Sequence, residues 1–199
     1  MLIQSASVGM ADWLDLFEFV NVDVRGAISA AVEAFVETFR GFFRAYVTPP
    51  VAFVMNSIQW LLTNTPSAVI LIAVFLAGWK SASWKVGLFA LISFAAVGFM
   101  GVWDQLMVTL SLIATAVLFS QVIGLPIGIL SSRSDGFWTV IRPVLDVMQT
   151  TPPFVYLVPA VMLFSIGNVP GLIATIMFSM PPVIRLTNLG IRQVEHEYI

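Results

Sequence analysis

Charged residues are so scarce in this chain that the gaps between them are as long as membrane crossings. A helix needs about 20 largely apolar residues to cross the hydrocarbon core of a bilayer. Uncharged stretches of that order occupy residues 60–79, 86–103, 106–132 and 147–184. The last is too long for one helix, and the turn-forming run Gly167-Asn168-Val169-Pro170-Gly171 interrupts it. It therefore reads as a hairpin with arms near 147–166 and 171–190, Arg185 snorkelling from the second arm. The expectation is an all-α, polytopic membrane protein with about five transmembrane helices. Stretch 60–79 is the weakest of the five, because it opens on the polar Thr63-Asn64-Thr65-Pro66. Pro126 is expected to kink or tilt the span at 106–132, and Pro152, Pro153 and Pro159 to break the start of the fourth.

Composition closes off the other classes. Of 199 residues, 59% are hydrophobic and 10% charged, where a soluble domain carries about 25% charged residues. Too few polar side chains remain to cover a water-facing surface. A disordered chain would need low hydrophobicity and high net charge, and this one has a net charge of −2. Nine Lys and Arg against eleven Asp and Glu, with no basic cluster, argue against nucleic acid as a partner. There is no cysteine, and the single His196 lacks the spacing of a ligand cluster, so no metal site is expected. Residues 1–9 combine neither a basic start nor a long apolar run, so internal spans are expected to direct insertion.

Orientation follows from the loops. Lys80 and Lys85, Arg133 and Arg142, and Arg185 and Arg192 flank alternate spans, while Asp104 stands in a loop without cations. Basic segments favour the cytoplasm. Five crossings then leave the N-terminus outside, where six acids face three arginines over residues 1–59. In that segment Ile28, Val32, Phe35, Val36, Phe39, Phe42, Phe43 and Tyr46 recur at helical spacing, with Glu33, Glu37, Arg40 and Arg44 on the other side. An amphipathic helix lying in the outer interface and a helix packed on the protein's own spans both fit. Pro49-Pro50 is expected to end it, ahead of a short apolar piece at 51–62.

The residues offer no nucleophile with a base, no carboxylate dyad and no phosphate-binding glycine loop. An enzyme has nothing to act with. No charge falls near the middle of any crossing, which argues against an ion-coupled relay. The most unusual stretch runs from Arg142 to Pro159, RPVLDVMQTTPPFVYLVP. Hydroxyl, amide and proline residues there stand at the mouth of an apolar helix, where freed backbone groups suit a water-filled path. The same residues equally suit a shaped helix start, with Met148 and Phe154 in the core and Thr150 and Thr151 as caps. Gly124 and Gly128, four residues apart, read as a helix-packing contact. Ser111 and Thr115 form a polar stripe on the same span, suited to helix contact or, less readily, to a pore.

IGLPIGI, RPVLDVMQTTPPFVYLVP, the turn IGNVPG and PPVIRLTNLGIRQV together closely resemble the permease subunit of type I ABC importers, in particular the class that imports glycine betaine and related osmoprotectants. The resemblance covers roughly residues 106–199 at motif level. It departs at Pro153, where a smaller residue is expected, and at Ser165, where glycine is.

The resemblance implies a partial type I permease fold in a bacterial inner membrane. It further implies a homodimer, cytoplasmic ATPase subunits that bind the ATP, and an extracytoplasmic substrate-binding protein; no cofactor is expected in the chain itself. From motif position and polarity, Met148, Gln149, Thr150, Thr151, Phe154, Tyr156 and Asn168 are the candidates for the translocation path. Arg192, Glu195 and Glu197 are expected near the ATPase docking surface. The family's coupling loop would begin where the sequence given ends, so the chain reads as a piece of a longer permease. Its organisation reads as an extracytoplasmic or interfacial segment over 1–59, two accessory helices over 60–105 and an incomplete permease domain over 106–199. The rival readings are a non-transporting scaffold or osmosensor built on the 28–46 helix, and an ion-coupled carrier.

Overall fold

A computed structural model describes residues 24–194, and all regular structure among them is helical. The order is α1 (Val24–Phe42), a π-helical turn (Phe43–Val47), α2 (Thr48–Asn64), α3 (Ser67–Ser81), α4 (Trp84–Phe99), α5 (Trp103–Arg133), α6 (Asp135–Thr150), α7 (Pro153–Phe164) and α8 (Asn168–Arg192). Contacts divide the chain into two units, residues 1–38 and 39–199. The described part of the first is the α1 helix up to Thr38. Everything below concerns the second.

Its frame is the pair α5 and α8, which among the described residues are the helices long and apolar enough to cross a membrane unaided. They run parallel and in register. Ser120 meets Ser179, Gly124 meets Val183 and Gly128 meets Thr187, each pair 59 residues apart. The seam is built from small residues because only they let two backbones approach this closely. A Cβ on Gly128 would stand 2.6 Å from Thr187 Cβ and 3.0 Å from the Ile184 carbonyl, and one on Gly124 would stand 3.0 Å from Val183 Cγ1.

On α5 the hydroxyl residues Ser111, Thr115 and Ser120 are buried and bonded. Thr115 donates to the Ser111 carbonyl at 2.6 Å, Ser111 to that of Val108 at 2.7 Å, and Ser120 and Ser179 share a hydrogen bond of 2.6 Å. Helix α2 packs across this pair through Val51 and Met55, which join Ala116, Leu172 and Ile176 in one apolar cluster. Helices α3 and α4 form their own hairpin, closed by glycines. A Cβ on Gly87 would lie 2.6 Å from the Phe75 carbonyl, and one on Gly78 would lie 2.9 Å from Gly87 Cα.

Span boundaries differ from the expectation in three places. The stretch at 60–79 is divided at Thr65-Pro66, with its first residues in α2 and the chain bent by 106° into α3. The stretch at 86–103 becomes the shorter apolar helix α4, with Trp103 opening α5 instead. The arm expected at 147–166 is two helices, α6 and α7, bent by 95°. Two unbroken helices, two bent pairs and one shorter helix thus stand where about five spans, the fourth broken at its start, were expected.

Pro49-Pro50 does not end the N-terminal helix either. The prolines sit in the first turn of α2, where a missing amide donor costs little. The π turn lets Thr48 serve the chain ahead of them, its amide and, at 3.2 Å, its hydroxyl both donating to the Phe43 carbonyl.

Candidate functional site: the bent crossing between the parallel helices

Since α5 and α8 are parallel, the chain must return between them, and it does so through α6 and α7. Alone, α7 is too short for that: its 12 residues rise about 18 Å against a hydrocarbon core of about 30 Å. The break has a local cause. Pro152 disfavours helical geometry at the residue before it, and Thr151 and Pro152 are both extended, with ψ of 126° and 138°. Pro153 then starts α7 in a position proline tolerates.

A bend in an apolar setting frees backbone carbonyls that need donors. Here a side chain from beyond the bend supplies one. The Tyr156 hydroxyl reaches back to donate to the carbonyl of Met148 at 3.1 Å, and lies 3.3 Å from that of Val147, which also accepts from the Thr151 amide at 3.0 Å. Within α6, Thr150 donates to the carbonyl of Asp146 at 2.9 Å. Asp146 also pairs with a terminal guanidinium nitrogen of Arg185 of α8, whose buried Nε has no hydrogen-bond partner among the described residues.

Of the residues expected along the path, Met148, Gln149, Thr150, Thr151, Phe154 and Tyr156 lie together around this bend. Phe154 points outward with 78% of its surface exposed, Gln149 and Thr150 are exposed, and Met148, Thr151 and Tyr156 are half-buried. Asn168 is not brought to them. It opens α8 beyond the far end of α7, and is exposed there. Apolar clefts of about 430 and 370 Å³ lie elsewhere, one between α2, α3 and α5 beside Leu61, Ala73 and Leu110, the other beside Leu71, Gly98 and Trp103.

Arg192 is held inside the protein's own fold. It donates to the Ser131 carbonyl at 3.0 Å and to Asn188 Oδ1 at 2.8 Å, and pairs with Asp135 at 2.7 Å, tying the ends of α5 and α8 to the start of α6. Glu195 and Glu197 lie outside the described residues.

Two arginines not singled out for the site act at the other end of α7. Arg40 Nε donates to the Met162 carbonyl at 3.2 Å, and Arg44 Nε to that of Leu163 at 3.1 Å. Phe43, between them, meets the edge of Phe164 with ring centres 5.3 Å apart. Their four-residue spacing marks one helix face, but nothing local identifies a partner about 120 residues away.

Among the described residues, two long apolar helices run parallel and a proline-broken segment returns between them. Residues 122–199 match the family described as binding-protein-dependent transport system inner membrane component, and that stretch belongs to the family. It is 46% identical over 186 residues to the glycine betaine/proline betaine transport system permease protein ProW of Escherichia coli (strain K12), covering 94% of this chain and 52% of that protein. It is 41% identical to the glycine betaine transport system permease protein OpuAB of Bacillus subtilis (strain 168), over 90% of this chain and 63% of that one. The glycine betaine/carnitine transport permease protein GbuB of Listeria monocytogenes serotype 1/2a (strain 10403S) is 39% identical over 81% of the chain and 58% of its own length. The chain thus spans between about half and under two thirds of these relatives. Membership in an inner-membrane family, with its apolar helices, makes this a bacterial inner membrane protein.

Proposed function

We propose that this chain forms part of the permease subunit of an ATP-driven importer for glycine betaine or a related quaternary-amine osmoprotectant. The reading rests on the 46% identity to ProW, which extends over 94% of the chain. In it the chain itself is non-catalytic. Cytoplasmic ATPase subunits bind and hydrolyse ATP, an extracytoplasmic binding protein delivers solute, and a second permease copy completes the path.

The end of the frame carrying Arg133, Arg142 and Arg192 faces the cytoplasm, in keeping with the preference of cations for that side, and the N-terminus lies outside. Met148, Gln149, Thr150, Thr151, Phe154 and Tyr156 line the path at the bend, and Asn168 lies toward its outer mouth. Arg192, Glu195 and Glu197 stand near the ATPase. Asp146 and Arg185, the charges nearest the bend, are paired with each other, which suits this energy source, because a conformational cycle driven from outside needs no free ionisable coupling group in the crossings.

The test is uptake into proteoliposomes by the whole protein reconstituted with its ATPase and binding protein. Glycine betaine uptake is expected to require ATP and to persist when ionophores collapse the ion gradients, and the permease to co-purify with the ATPase. Thr151→Val and Tyr156→Ala are expected to lower uptake while leaving that complex intact. Uptake that follows the gradient instead, or a permease that never retains an ATPase, overturns the reading.

A further inference from the structure

Helix α7 ends inside the fold, and the last four carbonyls of any helix lack intrahelical donors. Here those carbonyls belong to residues 161–164. The first is taken by the Ser165 amide, which donates to Val161 at 3.0 Å. Closure by the chain itself is strained. Ser165 has φ of 75°, in the left-handed region that suits glycine and disfavours a residue with a Cβ. The next two carbonyls, of Met162 and Leu163, are the ones Arg40 and Arg44 reach. Two positive side chains therefore sit at the negative end of the α7 dipole, an arrangement favourable in charge as well as in hydrogen bonding.

The π turn contributes to this arrangement. Phe43 and Arg44 both belong to it, and π turns inside longer helices concentrate at functional positions. The Phe43–Phe164 edge contact fixes the depth at which the arginines meet α7.

We propose that Arg40 and Arg44 are positioning residues that cap α7 from outside, and that by holding its C-terminus they hold the bend at Thr151-Pro152 on which the transport path depends. On this account the 40–47 stretch works on the permease domain itself. The link to transport rests on the function proposed above, whereas the cap itself does not.

The two are separated by using two readouts. The sequence has no cysteine, so Ala160→Cys, at a buried position in α7, gives a site-specific reporter in the whole protein once any other cysteines are removed. In proteoliposomes containing the complete complex, R40Q/R44Q is expected to raise the rate of A160C labelling by a small maleimide about tenfold and to lower uptake in parallel. R40K/R44K, which keeps the charge but loses the Nε–H donor, is expected to fall between. Adding S165G, which relieves the strained closure, is expected to return labelling toward the parent rate. A generic loss of folding would not respond to that glycine.

Should R40Q/R44Q fail to accumulate, R44Q alone is expected to shift labelling in the same direction. Unchanged labelling in R40Q/R44Q, or in R44Q where that variant is the one read, overturns the proposal. A parent complex that takes up no solute overturns the functional reading and leaves the labelling to decide on the cap.

Discussion

The parallel pair α5–α8 and the bent crossing α6–α7 solve one problem in opposite ways. Both must satisfy every backbone polar group in a setting without water. The pair keeps its helices continuous even through Pro126, Pro181 and Pro182, and close approach of small residues provides the packing: Gly124 and Gly128 stand against Val183 and Thr187, with Ser120 bonded to Ser179. The crossing gives up helical continuity at Thr151-Pro152, and side chains from elsewhere replace the lost order. Tyr156 serves the carbonyls before the bend, while Arg40 and Arg44 serve those at the far end of α7. The regular pair is thus held mainly by shape, and the broken crossing mainly by donors. A part held by a few donors is also easier to rearrange than one held by backbone contact, which assigns the frame to the pair and the adjustable element to the crossing.

The largest expected effect breaks the frame. Gly128→Val places a branched side chain where even a Cβ would be 2.6 Å from Thr187, and is expected to cost about 3 kcal/mol by overpacking. Thermal unfolding in detergent checks this, with Gly171→Ala as the control, since nothing lies within 4 Å of a Cβ there.

A smaller loss is expected in the crossing. Tyr156→Phe keeps the ring but leaves the Met148 and Val147 carbonyls without that donor, for about 1 kcal/mol. If it lowers uptake while the melting temperature falls only slightly, Tyr156 acts by shaping the bend. If uptake is untouched, the bend does not need this hydroxyl.

How much of this the sequence revealed depends on the range of each signal. The hairpin turn was legible because Gly167, Asn168 and Pro170 punctuate it locally, and the structure ends α7 at Phe164 and starts α8 at Asn168. The break near Pro152 was legible for the same reason, although its exact place and the independence of α6 were not. Gly124 and Gly128 announced a packing contact through their spacing, but not that its other side lay 59 residues on.

Prolines misled at Pro49-Pro50, because the chain stays helical through the π turn just before them and carries them into the first turn of α2. Trp60 was assigned to the wrong element, since hydropathy has no means of registering a bend at Thr65-Pro66. The grip of Arg40 and Arg44 on α7 and that of Arg192 on Ser131 and Asp135 were invisible, being long-range pairings between residues that look like ordinary surface cations. Around the bend, six of the path candidates cluster by sequence adjacency, and Asn168 stands apart because α7 intervenes.

The claim that α5 and α8 form a fixed frame while the crossing adjusts is tested most directly by locking the frame. Ser120 and Ser179 have hydroxyls 2.6 Å apart, so their side chains face each other across the seam. In the whole protein, S120C/S179C is expected to cross-link under mild oxidation and to keep the uptake proposed above. Failure to cross-link, or a cross-link that abolishes uptake and releases it on reduction, would contradict the fixed parallel frame.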